Sequence, residues 1–278
     1  MTSNLKKAEF VLGLGQISYT TAPIDKIQKT FKQKNLRFLY GRDLALSKIL
    51  TGKNSFVSKN GSWIKEGDLY LNSKLAGKPT IILLRNSLAL INTKKSVKYH
   101  SDGEEIPFDD DKAVEILEKA KKESSAYHIL RSKDSIATKD FGKNEDTIWL
   151  FKDLAEEYGD FLHSKRIISV PLYFDNSDYI NNQKNAYINQ LWLGSLSGNS
   201  SVFGDNGDLD SYNGAFGVSD KTTEDNTPKR SSHETKIYIP NQKIINRNVK
   251  ILTDVLGGNR NLKDLEKVIG FFDNYINK

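Results

Sequence analysis

Apolar side chains recur at helical spacing over several stretches of this chain. Ile24, Ile27 and Phe31 form the stripe of a helix introduced by Thr21-Ala22-Pro23. There a hydroxyl can cap, and proline in the first turn loses nothing by lacking an N–H. Gly41 to Leu50 predicts a second helix, stopped at Gly52. A third follows Asp109-Asp110-Asp111 through Ala113, Val114, Ile116, Leu117 and Ala120. The strongest helical pattern runs from Asp146 to Leu162, with Ile148, Phe151, Leu154, Ala155, Tyr158, Phe161 and Leu162 in step. Val249 to Leu256 reads as a helix ended by Gly257-Gly258. Asn261, with Asp264 three residues on, caps a last helix whose buried face is Leu262, Leu265, Val268, Ile269, Phe272, Tyr275 and Ile276.

Shorter apolar runs predict strands. Glu9 to Ser18 reads as a strand and turn around Gly13 and Gly15, and Asn60-Gly61 is a hairpin signal. Trp63, Ile64, Leu69 and Leu71 then suggest a strand pair. Thr80 to Leu84 is a buried strand, Leu88 to Ile91 its neighbour, and Ser101-Asp102-Gly103 a turn. Arg166 to Phe174 is a further strand, leading into a polar connection over Asp175 to Lys184. Asp220 to Ser232 has little to bury, and Lys236 to Pro240 is a short strand. Helices and strands are intermixed, which makes the fold class α+β. No internal repeat or clean domain boundary is visible.

Length and composition narrow the field. With 278 residues and no cysteine, the chain can bury a core without disulfides, and thiolate chemistry and Cys-ligated zinc are excluded. No apolar run is long enough for a signal peptide or membrane span, so the expected setting is cytoplasmic or virion-associated. The net charge of +6 is unevenly placed. Residues 1–100 hold 18 Lys+Arg and 5 Asp+Glu; the remainder holds 23 and 30. Such asymmetry marks either a surface for an anionic partner or simple solubilisation.

One stretch departs from the rest. From Ala186 to Asp220 there is no Lys, Arg or Glu, although 27% of the chain is charged. Asn189-Gln190-Leu191-Trp192-Leu193-Gly194-Ser195-Leu196 opens it with an apolar anchor. Gly, Ser, Asn and Asp then dominate, with Phe203, Tyr212 and Phe216 among them, up to Gly217-Val218. Rigid rings among small adaptable polar groups are the composition of an antibody recognition loop. A long polar surface loop is the plainer reading. The order of Asn-Gln-Leu-Trp-Leu-x-Ser-Leu, Ser200-Ser201, Leu209-Asp210 and Ala215-x-Gly217-Val218 resembles the variable region of diversity-generating-retroelement proteins, especially archaeal and archaeal-virus ones. In that family a reverse transcriptase rewrites template adenines, so asparagine codons scatter to Asn, Ser, Asp, Tyr, Gly and Phe. The resemblance covers about thirty residues and implies a C-type-lectin-like fold, a mixed or antiparallel sheet with several helices, displaying variable side chains on a static scaffold.

Other chemistry is weakly supported. His100, His128, His163 and His233 are too scattered in sequence to suggest a metal pair. Gly13-x-Gly15 has Ser18 where a dinucleotide fingerprint needs its third glycine. Gly194 to Gly198 does not place a serine as a nucleophile elbow requires. The three aspartates at 109–111 serve better as helix N-terminal acids than as metal ligands. Asn206, Asp208 and Asp210 alternate like a calcium loop, but Ser211 and Gly217 stand where an EF-hand needs Gly and Glu; a looser oxygen-ligated site stays open. Glu234-Thr235-Lys236 has the Glu-x-Lys spacing of a metal-dependent nuclease, with Asp220 or Glu224 as further carboxylates.

The reading that follows is a non-enzymatic ligand-binding protein with a hypervariable surface, diversified by a retroelement, using no cofactor and no metal. Residues 1–165 form an N-terminal α+β part packed with the rest; residues 166–278 complete the C-type-lectin-like unit. Leu191, Trp192, Leu193, Leu209 and Val218 anchor the region at about 189–218. Asn199, Ser201, Phe203, Asp205, Asn206, Asp208, Asp210, Tyr212, Asn213 and Phe216 form the ligand surface, with the three rings as contact anchors. The expected partner is a macromolecule, a protein first and nucleic acid second. The alternative is a nucleic-acid-binding protein or metal-dependent nuclease that uses the basic N-terminal half.

Overall fold

The turn expected around Gly13 and Gly15 becomes a hairpin in the computed structural model, which describes residues 4–122, 124–197, 200–204 and 209–219. Its strands are β1 (Lys6–Val11) and β2 (Gly15–Thr21). Helix α1 (Ile24–Gln33) follows, with Ile24, Ile27 and Phe31 buried as their spacing predicts. Thr21 is not its cap, however. Thr21 closes β2, Pro23 occupies the cap position, and no side chain caps the helix. Instead, the amides of Ala22 and Ile24 donate to the carbonyls of Asn213 and Leu209 (3.1 and 2.9 Å). The first orphan amide of this helix is thus met by a distant loop.

Next come β3 (Leu36–Phe38), α2 (Gly41–Thr51, ending at Gly52), α3 (Phe56–Lys59) and β4 (Ser62–Leu71). Asn60-Gly61 is no hairpin turn: it joins α3 to β4. The strand pair expected over 63–71 is one unbroken strand. Its polar middle, Lys65-Glu66-Gly67-Asp68, looks like a turn, yet Glu66 and Asp68 are fully buried. Glu66 is held by Arg85 (2.7 Å) and the Gly41 amide (2.9 Å), and Asp68 lies 2.9 Å from the Tyr70 hydroxyl. Partnered charges of this kind can sit inside a sheet where unpartnered ones would not.

The chain continues through α4 (Ser73–Ala76), β5 (Thr80–Leu84) and α5 (Thr93–Ser101). Leu88–Leu90 is a 3-10 turn rather than a strand; Ala89 and Leu90 enter the core while Ile91 stays 74% exposed. Then follow β6 (Ile106–Pro107), α6 (Asp110–Ala120), β7 (Tyr127–Ile129) and β8 (Ser135–Ala137). Asp109 caps α6 by accepting from the Lys112 amide, with Asp110 and Asp111 in the first turn. The long helix expected over 146–162 is two, α7 (Glu145–Phe151) and α8 (Ala155–Ser164), separated at Lys152 with φ 54°. Phe151, Leu154, Ala155, Tyr158 and Leu162 are nonetheless buried on both sides of the break. The last elements are β9 (Ser169–Tyr173), α9 (Ser177–Asn182), β10 (Tyr187–Leu193), β11 (Val202–Phe203) and β12 (Gly214–Ser219). Helix α9 lies inside the expected polar connection, capped by Asn176.

Most strands align in the order β1-β2-β12-β4-β10-β11-β9-β8, with β3, β5, β6 and β7 attached at the sides. The β12–β4 and β11–β9 pairs are parallel and the others antiparallel, so the sheet is mixed. Strands from before and after residue 165 interleave in it. The main apolar cluster brings Ile24, Ile27 and Phe31 of α1 against Trp63, Leu69, Ile82 and Ala215 of the sheet. The described residues up to 219 belong to one compact unit. The readings made for 220–232, 236–240, 249–256, 261–276 and the Glu234/Lys236 pair lie outside the described residues. Among those described, no helix is long and apolar enough to cross a membrane.

Candidate ligand-binding surface

The charge-poor stretch leaves the sheet at the end of β10 and returns as β12. Leu191 and Leu193 are buried at its start, and Trp192, half-buried, packs edge-to-face on Trp63 (5.0 Å). The backbone then folds back on itself. The Gly194 amide donates to the Ser201 carbonyl (2.7 Å), and the Leu196 amide to the Ser58 carbonyl (2.7 Å). Leu196 is itself buried. The Gly194 carbonyl accepts from the ammonium of Lys48, 2.7 Å away on α2. Lys48 has no solvent exposure, and burial pulls its ammonium down to about 7. Ser200 and Ser201 are buried, with the Ser200 hydroxyl 3.4 Å from that of Tyr158.

At β11, Phe203 pairs with Trp192 on one side and Tyr173 on the other. The Phe203 and Tyr173 rings stack at 4.7 Å, and Tyr173 is 41% exposed. Gly204 is then clamped. Its amide donates to the Tyr173 carbonyl (2.7 Å), and its carbonyl accepts from the Tyr70 hydroxyl (2.6 Å) and the Asn189 side-chain Nδ2 (3.1 Å). A Cβ at Gly204 would overlap the Asp68 carboxylate and the Phe174 ring, so only glycine fits. Tyr70 stacks on Tyr187 (4.6 Å, 3° between planes), whose hydroxyl donates to Asp175 (2.8 Å). Burial, then the neighbouring carboxylates, holds both phenols well above their ordinary range, so they stay protonated donors. Burial likewise raises Asp175, with the Tyr187 hydrogen bond opposing it.

The return arm is anchored separately. Leu209 is buried in the main cluster; its carbonyl receives the first amide of α1, and that of Asn213 receives the amide of Ala22 just before the helix. The Asp210 carboxylate accepts from the Ser101 hydroxyl (3.2 Å) at the end of α5. Tyr212 is 78% exposed, and Asn213 is half-buried. At Gly214 a Cβ would overlap the Tyr19 hydroxyl.

Phe216 corrects the expected map. Its side chain has no exposure; the ring packs on Tyr19 (4.5 Å) and Phe56 (6.2 Å), and its amide donates to Ser62 (3.0 Å). It sits in the middle of β12, paired with Tyr19, where residues 214–218 are buried on both faces of the strand. Ser201 is also interior, because its carbonyl closes the loop at Gly194. Of the expected surface residues, Asp210 and Tyr212 are outside, and Phe203 and Asn213 are half-buried. Asn199, Asp205, Asn206 and Asp208 lie outside the described residues. Lys48, Tyr173 and Gly204 hold or border the stretch and were not singled out by the sequence. Lys48 had a signal: it stands four residues after Leu44, on the apolar side of α2. Among the described residues, no three His, Asp or Glu side chains converge as metal ligands.

No protein-family model matches the chain, and no curated protein matches it. A solved structure described as "Accommodation of massive sequence variation in Nanoarchaeota by the C-type lectin fold" is similar to it, with a TM-score of 0.53 and 16% identity. The likeness covers 77% of this chain and 98% of that one. The fold is therefore that of a C-type lectin, built here as a mixed sheet with several helices.

Proposed function

We propose that the C-type lectin fold of this chain serves as a fixed frame for a ligand-binding surface varied by a diversity-generating retroelement. The protein is a binder rather than an enzyme, and its ligand is a macromolecule, in the first place a protein. The observation that carries this reading is the division of labour within one stretch. Leu191, Leu193, Leu196, Leu209, Ala215, Phe216 and Val218 are buried, whereas Asp210 and Tyr212 project outward. Asn213 and Phe203 border them as half-buried positions. An exposed tyrosine flanked by Asp and Asn offers rigid contact area beside adaptable hydrogen bonding. The backbone at residues 204, 209 and 213 is held by main-chain bonds to Tyr173, Ile24 and Ala22, independently of the outward side chain of Tyr212.

A displayed library tests this. We expect most members randomised at 205, 206, 208, 210, 212 and 213 to fold, and binders to unrelated protein targets to be enriched. The same degree of randomisation at 191, 209, 215 and 216 should abolish display. Loss of folding in the first library would contradict the proposal, because a recognition surface must tolerate its own variation.

A further inference from the structure

We propose that α1 and α5 together form a second, constant docking surface for the phosphate backbone of a nucleic acid. The starting point is where the acids go. Residues 1–100 contain five carboxylates against 18 basic side chains, and the fold turns every carboxylate to internal use. Glu9 accepts from the Phe56 and Val57 amides. Asp25 is only 12% exposed beside Lys26, and Asp43 holds Arg37 (2.6 Å). Glu66 and Asp68 are fully buried. Apart from the fully buried Lys48 and the half-buried Lys65, the lysines of this region are left at the surface with little negative charge among them, an outcome that composition alone does not dictate.

The two helices concentrate that charge. Lys26, Lys29 and Lys32 recur every third residue along the exposed side of α1, rising about 4.5 Å per step. Lys34 follows just beyond the helix. Lys94, Lys95 and Lys98 are the exposed cations of α5. The helices lie side by side, tied by Gln28 of α1, which donates to the Leu90 carbonyl and accepts from Thr93 of α5 (2.9 Å). Among the described residues, the ion pair recorded for these lysines is Lys26 with Asp25 at 3.3 Å.

The chemistry favours phosphates over other anions. Protein interfaces concentrate Tyr, Trp and Arg and are depleted of Lys. The exposed positions of α1 are Lys26, Lys29, Lys32 and Gln33, and those of α5 are Lys94, Lys95, Lys98 and Ser101. None is aromatic, arginine or apolar. A membrane-surface helix needs an apolar face for the lipid, but the apolar side of α1 is spent in the core. Flexible ammonium groups in rows suit a polyanion contacted through its backbone, without reading sequence. Asp210 reaches Ser101 at the end of α5, so this surface adjoins the recognition loop but does not depend on its variability.

The test is anisotropy of a fluorescent, random-sequence DNA duplex of about 20 base pairs, titrated with the full chain at rising NaCl. The logarithm of affinity should fall linearly with that of salt, at about −0.9 per phosphate neutralised. The variant K26E/K29E/K94E/K98E should bind at least about tenfold more weakly, with a shallower salt slope and an unchanged Tm. K112E/K119E/K122E, which alters exposed lysines on and just after α6 instead, should bind nearly as the parent does. Three outcomes would overturn the proposal: no binding at about 50 mM NaCl, equal loss in both variants, or retention by phosphatidylserine vesicles with none by the duplex.

Discussion

Replacing Phe216 by alanine should cost about 3–5 kcal/mol of stability, the largest effect expected of any side chain in the charge-poor stretch. The phenyl ring has no exposure and fills the space between Tyr19 and Phe56, so its removal leaves a cavity lined by rings. Strand β12, which carries it, bridges β2, β3 and β4, and a loss there loosens the centre of the sheet. Tyr212→Ala, four residues earlier in the chain, should change stability by no more than about 0.5 kcal/mol, as befits a ring 78% exposed. Urea denaturation of the two single variants separates the roles. Equal, small effects would place Phe216 at the surface and restore the sequence-based map.

The second large effect concerns Lys48. Its folded ammonium is pulled down to about 7 by burial, from 10.5 in a solvated lysine. Between those values the unfolded chain binds the proton that the folded chain has lost, so stability rises with pH across that window. Below about 7 the full penalty of a buried charge applies; above 10.5 it vanishes. The shift corresponds to roughly 5 kcal/mol. Lys48→Met removes both the charge and the 2.7 Å hydrogen bond to Gly194. It should be at least as stable as the parent near pH 6, lose its advantage as pH rises toward 10, and loosen residues 194–201 throughout. Denaturation of both proteins at several pH values in this window checks the sign. A variant uniformly less stable, with an unchanged pH slope, would mean that the ammonium is solvated in the fold.

The sequence carried much of this architecture because apolar period survives in strong elements. Ile24, Ile27 and Phe31 announced α1, and the run Thr80–Leu84 announced β5. Failures occurred where long-range partners overrode local chemistry. Glu66 and Asp68 look like turn residues until Arg85, Gly41 and Tyr70 supply their hydrogen bonds. Lys152 interrupts a helix whose apolar spacing continues across the break. The charge-poor stretch was visible as composition, and Leu191, Leu193, Leu209 and Val218 are interior as expected. The role of Phe216 was not visible, because a phenylalanine among glycines reads alike in a paratope and in a central strand. Its pairing with Tyr19, nearly two hundred positions away, decides the matter. Tyr173 was hidden for a similar reason: its exposure follows from its pairing with Phe203.

Deep sequencing of this locus across its source population tests the central claim most directly. The account predicts substitutions concentrated at codons 199, 205, 206, 208, 210, 212 and 213, with Leu191, Leu193, Leu209, Gly214, Phe216 and Val218 constant. Variation no denser there than in α6 or α8, or variation that reaches Phe216 as readily as Tyr212, would contradict it.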